Sequence, residues 1–272
     1  MSETPPPART IRLVAVDMDG TFLSPEKSYD GARFARIRQT MRDRGITFVV
    51  ASGNQYWQLA GFFPDHPDNY YLAENGAFIV GPDGELRVSM LADATVSTLL
   101  DIFDDGLTID PVLCGHHSAY ASATVDPRVL PKLQHHYTRF ELVDDLRAVT
   151  DGVLKFTAVS PTGDLADGLA RLIAEAPADV AVVSPGNDFL DINRVDVNKG
   201  EALAWLGAQL GIATADMVAF GDGQNDIEML QTVGLGVAMA NAMDAVHEVA
   251  DDKTHSNADS GVLTYLENLL GL

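Results

Sequence analysis

The amino-acid sequence predicts an α/β protein with a Rossmann-like core on a parallel sheet and an inserted α+β cap domain. Apolar runs that end abruptly at polar residues, such as Ile11 to Val16, are typical of buried parallel strands. The segment that follows, Tyr29 to Arg44, carries apolar residues at helical spacing. From Glu85 to Ser184 shorter strands and helices replace this pattern, which indicates an insert within the core.

The first strand, Ile11 to Val16, is followed directly by Asp17-Met18-Asp19-Gly20-Thr21. In open α/β sheets ligands bind beyond the carboxyl ends of the strands, so Asp17 and Asp19 lie where chemistry is expected. Two carboxylates this close repel each other unless a cation lies between them, and oxygen ligands favour Mg²⁺. The alternative interpretation is an acidic turn that caps the next helix.

The following elements continue the strand and helix alternation. Gly45 is a stop signal for the Tyr29 to Arg44 helix, and a second strand is predicted from Ile46 to Ala51. The apolar runs Tyr70 to Ala73 and Ala77 to Val80 are separated by Glu-Asn-Gly, which predicts a hairpin.

Turn residues at Gly81 to Gly84 and at Ser184 to Gly186 mark the predicted domain boundaries. The prediction is a disordered tail over 1–10, a core over 11–82 and 187–272, and a cap over 83–186. The strand Phe189 to Asn193 is expected to resume the core. Inside the cap, the predicted strands are Thr108 to Leu113, Ala119 to Ala121, Val153 to Val159 and Val180 to Val183, and the predicted helices are Thr95 to Asp104 and Asp164 to Glu175.

Three further motifs carry polar residues next to predicted core strands or at the start of a helix. These are Ser52-Gly53-Asn54, Asn198-Lys199-Gly200 and the segment Asp222 to Asp226. Because the carboxyl ends of parallel strands meet at one edge of a sheet, we expect these motifs to lie near Asp17. Taken singly, Ser52 would be an ordinary helix cap and Lys199 a surface charge.

The chain thus carries a carboxylate motif, a hydroxyl motif, a lysine and an acidic loop in this order. The same order is found in the haloacid dehalogenase-like superfamily, which the chain resembles closely. The position of the insert looks like the type IIB cap of the Cof-type phosphatases. The segments Val49 to Tyr56 and Cys114 to Tyr120 resemble those of bacterial sugar phosphatases. Ser52, Asn54 and Gly223 depart from the residues that many relatives carry at these positions.

This resemblance implies a Mg²⁺-dependent phosphatase that hydrolyses a small sugar phosphate through an aspartyl-phosphate. Asp17 would be the nucleophile and Asp19 the general acid/base. The metal would be held by the carboxylates of Asp17 and Asp222 and by the backbone carbonyl of Asp19. Asp226 would support Lys199 and the metal shell. The residues expected to bind phosphate or substrate are Gly20, Ser52, Gly53, Lys199 and Asn225.

The cap offers His116, His117 and Lys155 as candidate substrate contacts. The two histidines lie in a predicted loop or strand end, and ordinary surface histidines are the alternative interpretation. Lys155 lies inside an apolar strand, where it either points to solvent or reaches across the cleft to an anionic substrate. His135 and His136 lie on a helical pattern and are expected on a solvated face.

Composition limits the classes of partner. The chain has 272 residues with 18 basic and 39 acidic side chains, a formal net charge of −21, which argues against binding of nucleic acid or of an anionic membrane. A single cysteine, Cys114, excludes an internal disulfide and is expected to be a buried, inert thiol. No signal peptide and no membrane span are recognised, so a cytoplasmic location is expected. Oligomeric state stays open.

Two other functions remain as alternatives. A sugar phosphomutase would return the phosphoryl group to sugar. Only the access of water to the closed active site would distinguish it from a phosphatase. A non-catalytic sugar-phosphate sensor should lack the nucleophile, the acid/base or the lysine, whereas Asp17, Asp19 and Lys199 are all present. The sequence also leaves open whether the substrate is a hexose or pentose phosphate, a nucleotide or a flavin precursor.

Overall fold

The structure, a computed structural model, describes residues 10–183 and 189–272 and contains two sheets. The predicted tail therefore lies almost entirely outside the described residues. The strands of the described residues are β1 (Leu13–Val16), β2 (Thr47–Ala51), β3 (Tyr70–Ala73), β4 (Phe78–Gly81), β5 (Gly84–Val88), β6 (Asp110–Gly115), β7 (Ala119–Ser122), β8 (Phe140–Val143), β9 (Val153–Val159), β10 (Val180–Val183), β11 (Phe189–Arg194), β12 (Met217–Gly221), β13 (Leu235–Ala238) and β14 (Asp252–Lys253). The helices are α1 (Gly31–Asp43), α2 (Tyr56–Gly61), α3 (Asp93–Asp104), α4 (Leu130–His136), α5 (Ala166–Glu175), α6 (Lys199–Leu210), α7 (Ile227–Thr232), α8 (Asp244–Val249) and α9 (Gly261–Leu270).

The first sheet has eight strands in the order β14-β13-β12-β1-β2-β3-β4-β5. Its pairs from β14 to β3 are parallel, whereas β3, β4 and β5 pair antiparallel at one edge. Alternate residues of β1 pack on opposite faces, Val14 and Val16 with α1 and α9, and Leu13 and Ala15 with α6. Because helices cover both faces, the central strands are apolar throughout, as the sequence predicts.

The second sheet has six strands in the order β10-β11-β9-β6-β7-β8. All its pairs are antiparallel except β7 with β8. Leu99 of α3 and Leu172 of α5 pack in one apolar cluster of this sheet, and Leu133 of α4 packs in another. The two sheets with their helices confirm the predicted fold class of a Rossmann-like core with an α+β insert.

The points at which the chain passes between the sheets differ from the prediction. The turn at Gly81 to Gly84 joins β4 to β5, which is still part of the first sheet, so the chain leaves that sheet only after Val88. The strand Phe189 to Asn193, expected to resume the core, is β11 and pairs with β9 and β10 of the second sheet. The other predicted boundary, Ser184 to Gly186, lies outside the described residues. An apolar strand has the same residue pattern in either sheet, so the pattern alone does not assign it.

Most elements of the core were predicted within a few residues. Asp30 caps α1 by accepting a hydrogen bond from the Arg33 N–H at 3.0 Å, and Gly45 ends the helix region at a φ of 67°. The hairpin prediction is confirmed, although the connection is a short 3₁₀ turn, Glu74–Gly76. Strand β8 was not predicted.

The single cysteine behaves as expected. The Cys114 side chain is buried, and its Sγ lies 3.4 Å from the Tyr137 hydroxyl. Burial raises the pKa of the Cys114 thiol to about 12, which keeps it protonated and unreactive. Among the helices described in 10–183 and 189–272, none is long and apolar enough to cross a bilayer.

We predict that Gly200→Ala destabilises the protein by about 1–3 kcal/mol through overpacking. A Cβ at Gly200 would lie 2.5 Å from the backbone oxygen of Glu228, so α6 and α7 would have to separate. Gly31→Ala is the matched control, because a Cβ at the start of α1 meets nothing within 4 Å. Urea unfolding measures both, and equal stability of the two variants would contradict the close packing of α6 on α7.

Candidate active site

The site is built around the ammonium group of Lys199, the first residue of α6. Its Nζ donates to Oδ1 of Asp17 and to Oδ1 of Asp226, each at 2.6 Å. Asp17 follows β1 and Asp226 lies in the loop after β12, a neighbour of β1 in the sheet. Lys199 is fully buried and both carboxylates are at most 5% exposed. The expected convergence of these motifs is therefore seen directly.

The charges of this cluster do not balance. Burial and the charge of Asp226 raise the pKa of Asp17 well above its usual value, although Lys199 opposes them. Burial raises the pKa of Asp222 to about 6, helped by the charge of Asp226. Burial alone would lower the pKa of Lys199, but Asp17 and Asp226 outweigh it and keep the ammonium charged. Three carboxylates thus face one ammonium group, so the cluster would attract a further cation.

Asp226 also shapes the loop that follows β12. Its Oδ2 accepts hydrogen bonds from the backbone N–H groups of Asp222 and Gly223, both at 3.0 Å. Gly221 permits this approach, since a Cβ there would lie 2.5 Å from the Cβ of Asp226. One buried carboxylate therefore fixes both the position of Lys199 and the backbone that carries Asp222.

Gly20 and Thr21 hold Asp222 from the opposite loop. The Thr21 hydroxyl donates to Oδ1 of Asp222 at 2.6 Å. Gly20 has a φ of 83°, and a Cβ there would lie 2.2 Å from Oδ2 of Asp222. Only glycine suits this conformation and this spacing. The sequence predicts that Gly20 binds phosphate, and the structure adds this contact with Asp222.

The side chains at this edge fit a divalent cation. One carboxylate oxygen from each of Asp17, Asp222 and Asp226 lies within 4.8 Å of the others. The donors are all oxygens, which suits Mg²⁺, and the excess of negative charge would be neutralised by it. Asp19 contributes no side-chain oxygen to this cluster, and its role as a metal ligand through its backbone carbonyl stays a prediction.

Asp19 faces the cleft and its carboxylate is held by two donors. Lys27 forms a short ion pair with Oδ1, and Asn54 donates to Oδ2 at 2.7 Å. Burial would raise the pKa of Asp19, but the hydrogen bond and charge of Lys27, with the hydrogen bond of Asn54, lower it below its usual value. Neither Lys27 nor a role for Asn54 was predicted, since an exposed lysine in a loop carries no sequence signal.

The second motif lies beside these groups. Ser52 and Gly53 line the cleft, and the Ser52 hydroxyl accepts the Asn54 N–H at 3.1 Å. A Cβ at Gly53 would lie 3.0 Å from Oδ1 of Asn75. Asn225 donates to the same Asn75 oxygen at 3.0 Å. Ser52, Gly53 and Asn225 therefore converge with the carboxylates, as the sequence predicts.

The cap side of the cleft is a buried polar network centred on Lys155. Its Nζ donates to the Gly53 carbonyl at 2.7 Å and to Asp191 Oδ2 at 3.0 Å, and lies 3.3 Å from Glu74 Oε2. Asp191 also accepts from Thr157 at 3.0 Å and from Asn75 at 2.9 Å. Lys155 does reach across the cleft, but its partners are protein groups. The solvent-facing alternative for Lys155 is wrong.

The prediction for the two helical histidines is correct for one of them. His135 is exposed, whereas His136 lines the cleft and stacks on Phe189, with ring centroids 5.2 Å apart and planes at 22°. The apolar Leu133 anchors α4 in the cap, which turns the end of the helix towards β11. The solvated-face expectation for His136 is wrong, because no local residue pattern indicates that β11 packs beside α4.

His116 and His117 lie elsewhere. His116 Nε2 is 3.1 Å from Glu85 Oε1, and its ring meets Phe78 edge to face. His117 Nδ1 is 2.8 Å from Asp151 Oδ1. Neither is among the described residues that line the cleft. The structure therefore does not bring these two candidate contacts to the site.

The cleft has a volume of about 200 Å³. Besides the predicted site residues, its lining includes polar and aromatic side chains for which the sequence predicts no role in the site, namely Lys27, Asn54, His136, Thr157, Phe189 and Asp191. Most come from the cap, whose residues follow no chemical motif and reach the site only through the packing of the second sheet on the core.

Comparison with known proteins identifies the family. The family model of haloacid dehalogenase-like hydrolases matches residues 14–266. The chain belongs to this family. It is 36% identical over 263 residues to the 5-amino-6-(5-phospho-D-ribitylamino)uracil phosphatase YbjI of Escherichia coli strain K12, covering 96% of this chain and 97% of the relative.

Solved structures agree on the fold. SMU.1108c from Streptococcus mutans UA159 matches with a TM-score of 0.90 and 31% identity, over 97% of this chain and 100% of that one. The subclass IIB sugar phosphatase BT4131 matches with a TM-score of 0.81 and 18% identity, over 94% of this chain and 98% of that one. At this identity the second likeness shows the fold alone.

We predict that Mg²⁺ raises the melting temperature of the wild type and that Asp222→Asn abolishes this rise. A ligand at about 100 times its Kd stabilises the folded state by about 2.7 kcal/mol, and Asp222 offers one of the clustered oxygens. Asp244→Asn is the control, because this exposed carboxylate lies outside the cleft. Differential scanning calorimetry with and without Mg²⁺ measures the rise, and an equal rise in both variants would contradict the site.

Proposed function

We propose that this chain is a Mg²⁺-dependent phosphatase that hydrolyses small phosphate monoesters through a phosphorylated Asp17. The observation that carries the proposal is the buried Lys199 ammonium, held 2.6 Å from Asp17 and from Asp226, two carboxylates that line the cleft. A cation fixed beside a carboxylate lets that carboxylate approach a phosphate dianion. Because nucleophile, acid/base and lysine are all present and converge, a non-catalytic sensor is disfavoured.

Asp17 would attack phosphorus in line, so that one of its oxygens bonds to phosphorus while the ester bond to the leaving oxygen breaks. Lys199, the Ser52 hydroxyl and the backbone around Gly53 would bind the phosphoryl oxygens. Mg²⁺, held by Asp17, Asp222 and the Asp19 carbonyl, would supply the remaining positive charge that the transferred group needs.

Asp19 would move the protons. In the first step it gives a proton to the leaving oxygen, and in the second it takes one from the water that attacks the phosphorylated Asp17. The ion pair with Lys27 keeps Asp19 ionised before substrate binds. An incoming phosphate dianion would raise the pKa of Asp19, because like charges disfavour ionisation. Substrate binding itself would thus prepare the acid.

The substrate would be a phosphorylated sugar or sugar alcohol. A cleft of about 200 Å³ suits a small molecule, and the charge of −21 leaves few cations outside the site to attract a polyanion. The name of the E. coli relative gives a phosphorylated ribityl chain joined to uracil, which is one member of this class. It supports the proposal and makes that compound the first substrate to test.

We predict that Asp17→Asn lowers phosphate release to background, whereas Asp19→Asn releases one equivalent of p-nitrophenol from p-nitrophenyl phosphate and then stalls. p-Nitrophenolate is a good leaving group and needs little acid, but the second step still needs the Asp19 base. The loss of general catalysis in the steady state should be about 10²–10⁴-fold. Stopped-flow absorbance measures the burst.

Asp83→Asn is the control for both variants, since this exposed carboxylate lies in the turn between β4 and β5. Its burst and steady-state rates should equal those of the wild type. Chelation of Mg²⁺ should remove activity from the wild type and from Asp83→Asn alike. Full turnover by Asp17→Asn would contradict the nucleophile assignment. A steady-state loss in Asp19→Asn without a burst would contradict the prediction that this variant still phosphorylates Asp17 and fails only in the second step.

A further inference from the structure

We propose that His136 and Phe189 form a leaving-group subsite that selects phosphate esters whose organic part carries a planar heterocycle. The proposal rests on the proposed function and deepens it, because it names the substrate class that the cap would choose. Both side chains line the same cleft as Asp17 and Asp19. His136 ends α4 and Phe189 begins β11, so two separate cap elements bring the rings together.

The two rings lie on the leaving-group side of the site. His136 lines the same cleft as Asp19 from the cap side, and Asp19 is the group proposed to protonate the leaving oxygen. The phosphate-binding groups Ser52 and Lys199 lie on the core side, at the ends of core elements. A bound ester would therefore point its organic part towards His136 and Phe189.

Most polar groups on the cap side are already bonded to protein. Asp191 accepts hydrogen bonds from Lys155, Thr157 and Asn75. Lys155 in turn donates to the Gly53 carbonyl and is paired with Glu74. The sugar part of a hexose phosphate presents several hydroxyl groups and needs several unbonded partners to replace water. This network offers few.

His136 differs from these neighbours. Within residues 10–183 and 189–272 no hydrogen bond is found for either ring nitrogen, and the ring makes aromatic contacts with Phe189 and Tyr137. Burial and the charge of Lys155 lower the pKa of His136 to about 4. The ring is therefore neutral near pH 7 and offers one donor and one acceptor.

A stacked pair of one phenyl and one neutral imidazole ring suits a flat heteroaromatic ring. Aromatic rings bind each other by offset stacking or edge-to-face contact, and the imidazole nitrogens can pair with ring carbonyl or N–H groups. A polyol chain alone can hydrogen-bond to the imidazole nitrogens but cannot stack on either ring. The geometry therefore favours a phosphorylated chain that ends in a heterocycle over the same chain without one.

The test compares two substrates that differ only in the ring. One is a ribitylaminopyrimidine 5-phosphate and the other is ribitol 5-phosphate, with p-nitrophenyl phosphate as a general reporter of phosphatase activity. The variants are His136→Ala, His136→Gln and Phe189→Leu. His135→Ala is the matched control, because this neighbouring histidine of α4 is exposed and lies outside the cleft.

The wild type should prefer the heterocyclic substrate. His136→Ala and Phe189→Leu should each lower that preference, as a ratio of kcat/KM values, by about tenfold, mainly through KM. His136→Gln should recover part of it because it keeps a donor and an acceptor. His135→Ala should leave this ratio and the kcat values for both substrates unchanged.

Two results would overturn the inference while leaving the proposed phosphatase intact. One is a wild-type preference for ribitol 5-phosphate, and the other is an equal fall for both substrates in His136→Ala, which would indicate a structural role. If the wild type hydrolyses neither substrate nor p-nitrophenyl phosphate in the presence of Mg²⁺, the proposed function itself fails and the subsite falls with it.

Discussion

The structure depends on one buried cation at the end of the central strands. Lys199 joins Asp17 after β1 to Asp226 after β12, and Asp226 in turn fixes the backbone that carries Asp222. Breaking a buried pair by removing one partner leaves an uncompensated charge, which costs about 3–5 kcal/mol. The glycine at 200 lets α6 approach α7 closely enough to hold the ammonium there. Packing and charge therefore impose the same geometry on the site.

Hydrogen bonds tie the cap to this centre, and Leu154 of β9 also packs in the apolar cluster of the core. Gln55 beside the second motif exchanges two hydrogen bonds with the backbone of Arg139, at 2.9 and 3.1 Å, and the Arg139 guanidinium lies over the Trp57 ring. Lys155 adds its bond to the Gly53 carbonyl. These contacts hold the cap against the core beside the carboxylates. The His136 ring lines the cleft that lies between them.

The sequence could predict what is encoded locally. Asp17, Lys199 and Asp222 each lie at the end of a strand or the start of a helix, so the parallel sheet brings them together and their convergence follows from topology. Membership of β11 could not be predicted, because its apolar residues suit either sheet. His136 was likewise hidden, since its cleft position depends on how α4 packs in the cap rather than on any motif.

The account rests most directly on phosphorylation of Asp17. The Asp19→Asn variant, mixed with substrate and Mg²⁺ and quenched in acid within the burst, should carry one phosphoryl group on the peptide that contains Asp17, as located by tandem mass spectrometry. The label should be absent from the Asp17→Asn/Asp19→Asn double variant. Turnover with no label on Asp17, or with the phosphoryl group on another side chain, would contradict the central claim.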